Sequence, residues 1–124
     1  MANVSEIAET LHVALVGGDT DALARLCLDD LVVWHNSDRV EIDKGTALRR
    51  ISALSQLAKS VTLEAVHFLE TDVGFVEQIV IRGTIKATGN PLELHNCLLV
   101  TVVDGKIKRI DEYVDPSVAS QTAG

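Results

Sequence analysis

The stretch Val32-Val33-Trp34-His35-Asn36-Ser37-Asp38 carries the only tryptophan of the chain and one of its four histidines. It ends an apolar run in a cluster of hydrogen-bonding side chains. Two helical patterns precede it, and a third helix and then almost unbroken strand follow. Titratable groups gathered at the end of a strand are raw material for the floor of a pocket.

Working upstream, Val4, Ile7, Ala8, Leu11, Ala14 and Leu15 recur at three- and four-residue steps, which predicts an amphipathic helix over about residues 4–16. Asn3 or Ser5 can cap its start, and Gly17-Gly18 ends it. Asp19 or Thr20 then caps a short second helix carrying Leu23, Leu26 and Cys27, stopped by Asp29-Asp30. Residues 31–36 read as the first strand. Downstream, residues 37–45 are polar apart from Val40 and Ile42 and read as a connecting loop. A third helix over about residues 46–59 has Leu48, Ile51, Leu54, Leu57 and Ala58 as its buried stripe.

Beyond residue 60 the period changes to that of strands, at 61–70, 73–87, 92–103 and 106–114. Thr71-Asp72, Thr88-Gly89-Asn90-Pro91 and Asp104-Gly105 supply the turns. In the longest strand Phe75, Ile79, Ile81 and Ile85 share one parity while Val76 and Val80 occupy the other. A sheet with one wet face alternates more cleanly, so this one is expected to be covered on both sides. Three helices can cover one side of a five-stranded sheet, and a second copy of the chain is the economical cover for the other. Residues 117–124 read as a frayed tail.

One domain is expected from 124 residues, and 47% hydrophobic content makes it globular. Aromatics are only 3%, so aliphatic side chains must fill the interior. A formal net charge of −7, with 18 acidic against 11 basic residues, argues against nucleic acid or an anionic membrane as partner. Arg49-Arg50 and Lys106-Ile107-Lys108-Arg109 are short and have acids close by. The N-terminus lacks the pattern of a secretory signal, and no apolar run could span a bilayer. Cys27 and Cys97 lie inside apolar patterns and read as reduced core residues of a cytoplasmic protein. No Cys-x-x-Cys, paired histidines, phosphate-cradling glycine motif or nucleophile elbow is present. The expectation is therefore no metal and no cofactor.

The order helix, helix, strand, helix and four long strands resembles the nuclear transport factor 2-like superfamily, in its SnoaL-like and ketosteroid-isomerase-like branch. The carriers are Gly18-Asp19, the run Asp29 to Asn36, Lys44-Gly45, and the closing strand from Asp104-Gly105 to Glu112-Tyr113-Val114-Asp115-Pro116. The resemblance implies an α+β fold, a curved antiparallel sheet wrapped around a cone-shaped pocket closed by three N-terminal helices, with dimers common. It does not name a reaction, because this scaffold hosts isomerases, cyclases, dehydratases, epoxide hydrolases and silent binders.

Two comparisons within that resemblance select site residues. Ketosteroid isomerases move a proton with a carboxylate near the end of the first strand, and His35 takes that position here. Imidazole suits the task, with an unperturbed pKa of about 6.5. The family's oxyanion-stabilising Tyr on the first helix is replaced by His12, and no acid stands on the strand His95-Asn96-Cys97-Leu98 to act as second donor. Limonene-epoxide hydrolases use a Tyr and an Asn on the first strand, where Trp34 and Asn36 stand, with an Arg and an acid on a later strand. Gln78 and Val80 occupy those last two places, leaving Glu112 as the only acid, so the hydrolase relay is absent. Side chains alternate along a strand, so either His35 or the pair Trp34 and Asn36 faces inward. His35 is taken as the inward one.

Each of these residues also has a structural role open to it. His35 could cap the strand end, His12 could be a satisfied core histidine, and Trp34 could be core or a stacking surface. His95 could pair with Glu93 or Asn96 on a solvated edge, His67 is structural, and Asp38 is a turn residue. The expectation carried forward is a cofactor-free acid–base enzyme, of isomerase, cyclase or dehydratase type, acting on a small, largely apolar carbonyl or hydroxyl compound. His35, Asn36 and His12 form its catalytic set. Trp34, His95, Gln78, Val80, Leu98, Leu54, Glu112 and Tyr113 are the substrate contacts, with Leu11 and Leu15 as further wall. The rivals are a binder of hydrophobic metabolites without turnover and a dimerising module with an empty cavity. A homodimer is expected through the outer sheet face.

Overall fold

The three helices start where a side chain can accept from the otherwise unpaired amides of a first turn. Asn3 Oδ1 accepts from the Glu6 amide at 2.9 Å, Asp19 Oδ1 from Ala22 at 3.0 Å, and Asp43 Oδ1 from Thr46 at 2.9 Å. A computed structural model describes residues 3–115; the expected frayed tail lies outside them. Its elements are α1 (Val4–Gly17), α2 (Thr20–Leu26), β1 (Cys27–His35), β2 (Glu41–Asp43) and α3 (Lys44–Leu57). They are followed by β3 (Ala58–Thr71), β4 (Gly74–Ile85), β5 (Pro91–Val103) and β6 (Lys106–Val114). α1 stops at Gly18, whose φ of 61° is left-handed and whose added Cβ would meet Ser55 Cβ at 2.6 Å. Only glycine meets both demands.

The strands form one sheet in the order β2-β1-β6-β5-β4-β3. It has six strands rather than five, because residues 41–43 are not loop but pair antiparallel with Val32–Trp34. Three residues with one inward side chain, Ile42, leave no period to read. The sheet is also mixed. β1 runs parallel to β6, while the other neighbouring pairs are antiparallel. α3 and four strands separate β1 from β6 in sequence, so no hairpin dictates their sense. Asp104 and Gly105, with φ of 54° and 77°, make the tight β5–β6 turn.

Helices and sheet enclose the core on one face, with Ile7, Leu11 and Leu23 above Phe75, Ile79, Ile85, Leu92 and Ile107. Cys27, expected in α2, is already extended at φ −110° and ψ 147° and opens β1. The helix ends one residue early because Lys44 reaches back to its terminus. Its Nζ donates to the carbonyls of Ala24 at 2.7 Å and Cys27 at 3.0 Å, and to Asp29 at 3.3 Å. One ammonium thus ties the end of α2, the start of β1 and the start of α3 together. Lys44→Met, which keeps the stem and removes the donors, is expected to cost about 1–3 kcal/mol in urea unfolding. An unchanged midpoint would show that water replaces the ammonium without loss.

Candidate functional site

The concave side of the sheet and the three helices surround a cavity of about 330 Å³. Alternation decides which residues reach it. Leu31, Val33 and His35 of β1 face it, as do Ile79 and Ile81 of β4, Leu94, Asn96 and Leu98 of β5, and Ile110, Glu112 and Val114 of β6. Leu11 and Leu15 of α1 and Ala47, Leu48, Arg50, Ile51 and Leu54 of α3 close the other side. A smaller cavity of about 180 Å³, beside the C-terminal ends of α1 and α3, shares Leu15, Ile51, Leu54 and Ile81 with it as a partition.

The polar residues of the large cavity centre on one carboxylate. The parallel β1–β6 register sets His35 opposite Glu112. Glu112 Oε2 lies 3.0 Å from His35 Nε2, and its Oε1 accepts from Asn96 Nδ2 at 2.7 Å. A carboxylate only accepts, so it fixes both neighbours: Nε2 is the donor of His35, and the amide nitrogen of Asn96 must face Glu112. What is left over is chemically informative. His35 Nδ1 and Asn96 Oδ1 are buried and have no partner among the described residues. The hydrogen bond from Glu112 raises the pKa of His35 above its ordinary 6.5, against desolvation, which lowers it. The charge of Glu112 adds to the rise, the Arg50 charge opposes it, and Asp38 adds a smaller upward pull.

Asn36 holds this pair in place from outside the cavity. Its amide side chain donates to Val114 O at 3.3 Å and accepts from Val114 N at 2.8 Å, and its backbone amide donates to Glu112 O at 3.1 Å. The end of β6 is thereby locked to the end of β1. Asn36 acts as a positioning residue, not as a group facing the cavity. Trp34 points to the outer face, edge-on to Tyr113 with ring centroids 5.4 Å apart. Gln78, Val80 and His95 share that outer face, since they have the opposite parity to Ile79, Ile81 and Asn96. Exposed His95 bonds Glu93 at 3.1 Å, and His67 is exposed on β3.

His12 is also placed away from the cavity lining. Its Nε2 lies 2.7 and 2.8 Å from the two oxygens of Glu77, a carboxylate only 1% exposed beneath α1. Of the expected contacts, His35, Leu54, Leu98 and Glu112 meet around the cavity; Asn36, His12, Trp34, His95, Gln78, Val80 and Tyr113 do not. Asn96, Arg50, Ser37 and Glu77 were not singled out by sequence. Parity flagged two of them: Glu77 shares the inward side of Phe75 and Ile79, and Asn96 that of Leu94 and Leu98.

Cys27 forms part of the cavity wall, and burial pushes its thiol up to about 11 against the opposing charge of Lys44. It stays a neutral thiol at physiological pH and is no nucleophile. Among the described residues no three His, Cys, Asp or Glu side chains are grouped to hold a metal ion. No described helix is long and apolar enough to cross a membrane.

Residues 8–110 match the SnoaL-like domain. IdmH, a proposed polyketide cyclase from Streptomyces antibioticus, has a similar structure, with a TM-score of 0.84 and 20% identity over 99% of both chains. A protein of ketosteroid isomerase-like fold from Catenulispora acidiphila, solved with trimethylamine, gives 0.81 and 16% over 98% of this chain and 95% of that one. An LEH-like epoxide hydrolase from M. tuberculosis gives 0.74 and 16% over 94% and 86%. At these identities the likeness is one of fold. No curated protein matches the chain.

Proposed function

We propose that this chain, which belongs to the SnoaL-like domain family, is a cofactor-free acid–base enzyme with His35 and Glu112 as its working pair. The observation that carries the reading is His35 Nδ1, buried in a cavity wall without a partner among the described residues while Nε2 is held by a carboxylate. A histidine that merely capped a strand end would have no reason to keep one nitrogen bare and the other paired with an acid. The geometry is that of a general base whose second nitrogen is anchored.

The substrate class follows from the wall. Aliphatic side chains surround a cavity sized for a small molecule, and the polar groups lie at one end. A compound with a proton next to a carbonyl would enter with that carbon at His35 Nδ1. Neutral imidazole takes the proton, Glu112 stabilises the imidazolium, and the C–H electron pair moves into an enolate. Returning the proton to another carbon completes an isomerisation. Delivering it to the alkoxide of an aldol addition completes a cyclisation, and delivering it to a departing hydroxyl completes a dehydration. Asn96 Oδ1 can accept from a substrate hydroxyl, and the Ser37 hydroxyl can donate to the enolate oxygen. The outer face, with Trp34, Tyr113 and Leu99, is the surface on which this reading places a second copy of the chain.

The test is hydrogen–deuterium exchange in D₂O of a panel of enones, β-diketones and hydroxyketones, followed by proton NMR. Exchange or conversion by the wild-type chain, lost in His35→Gln, is the expected result. Binding without exchange, unaltered by His35→Gln, would instead make the protein a carrier of hydrophobic metabolites.

A further inference from the structure

On α3 the residues that face the cavity are Ala47, Leu48, Arg50, Ile51 and Leu54, a stripe built on three- and four-residue steps. Arg50 occupies a place where that stripe calls for an aliphatic side chain. It is exposed to solvent. Its neighbour Arg49 points elsewhere and donates to Thr46 Oγ1 at 3.0 Å. Arg50 has no hydrogen-bond or carboxylate partner among the described residues. The acid of the cavity wall among the described residues, Glu112, bonds His35 and Asn96 instead. A guanidinium without a protein partner among the described residues thus stands on the wall of a largely aliphatic cavity, close enough for its charge to be felt at His35.

We infer that Arg50 recognises a carboxylate on the ligand, so that the substrate class is an apolar acid rather than a neutral apolar compound. The inference rests on the large cavity being the ligand site, as proposed above. Arginine is suited to the task, because its planar fork matches a carboxylate with two parallel hydrogen bonds. The chain as a whole carries a formal charge of −7 and repels anions. A local cation at the cavity is what would let an acid enter. The body of the ligand would lie along Leu54, Ile81 and Leu98, with its reacting carbon at His35.

The experiment compares 2-naphthoate with 2-naphthamide, two probes of nearly equal size and shape that differ in charge, by calorimetry on the full chain. The wild type is expected to bind the acid about tenfold more tightly than the amide, the effect of roughly one good charge-assisted pair. Arg50→Gln is expected to remove that preference by weakening the acid while leaving the amide within about twofold, and Arg50→Lys to keep part of it. Equal wild-type affinities, or a preference that survives in Arg50→Gln, overturn the assignment of Arg50 and leave the acid–base reading intact. Failure of the wild type to bind either probe counts against both. Loss of exchange in His35→Gln is read separately, so the two ideas can fail independently.

Discussion

His12→Ala is expected to lower the unfolding free energy by about 3–5 kcal/mol, the cost of stripping a buried carboxylate of its partner. Glu77 lies on the inward side of β4, between Phe75 and Ile79 and opposite Leu98 on β5. Its side chain is 0% exposed, and His12 Nε2 is within 2.8 Å of both of its oxygens. Without that imidazole the carboxylate is left buried and unpaired or must pull out of the core, and both are costly. The reverse change is milder. Glu77→Leu leaves an imidazole that is 19% exposed and can turn toward water. The double variant His12→Leu/Glu77→Leu puts two aliphatic side chains in one apolar pocket and is expected to recover most or all of the wild-type stability. Urea unfolding of the wild type, His12→Leu, Glu77→Leu and the double variant measures the coupling directly. Single losses that simply add in the double variant would mean that the contact contributes nothing.

The same pair shows where sequence reasoning reaches and where it stops. His12 follows Ala8 by four residues, and Glu77 shares its parity with Phe75, Ile79 and Ile81, so the inward direction of both was legible. Their meeting was not, because it depends on how α1 crosses β4, at a sequence separation of 65. His12 resembled an oxyanion donor only while its partner was unknown. Helix caps were readable because they are local: Asn3, Asp19 and the Gly18 turn do what short-range chemistry requires of them.

The orientation of β1 was the other undecided point. Val32 and Val33 are both aliphatic, and Trp34 and His35 can each serve as core or as site, so neither parity is favoured by pattern alone. Pairing with β6 resolves it, since Val33 lies beside Ile110 and His35 beside Glu112. A parallel register between strands at opposite ends of the chain leaves no mark in either segment. The outward placement of Gln78, Val80, His95 and Tyr113 follows from the same cause, because one inward set excludes the other along each strand.

Glu112→Gln is expected to reduce kcat/KM about 10²–10⁴-fold for any substrate that the wild type turns over, and to move the pH profile. His35 Nδ1 works as a base only when the ring is neutral. The Glu112 hydrogen bond raises the pKa of His35 above 6.5, so the wild-type rate should climb with pH to a plateau whose midpoint lies above 6.5. With glutamine at 112 the effect of burial is left largely unopposed, and the midpoint should fall below that of the wild type. Loss of rate even on the plateau follows because the amide can neither stabilise the imidazolium nor favour one tautomer. Stability runs the other way along the same titration. A folded-state pKa above the unfolded value means that protonated His35 stabilises the fold below pH 6.5, and that this contribution fades as pH rises through the raised pKa. Asp30 and Asp43 have lowered pKa values and lose their contributions only in acid, so they do not interfere in that window. The stability gap between wild type and Glu112→Gln should therefore narrow from pH 5.5 to pH 8.5. Imidazole NMR of His35 in the two proteins reads the same shift without a substrate. A His35 midpoint that Glu112→Gln leaves where it was would show that the carboxylate does not govern the base.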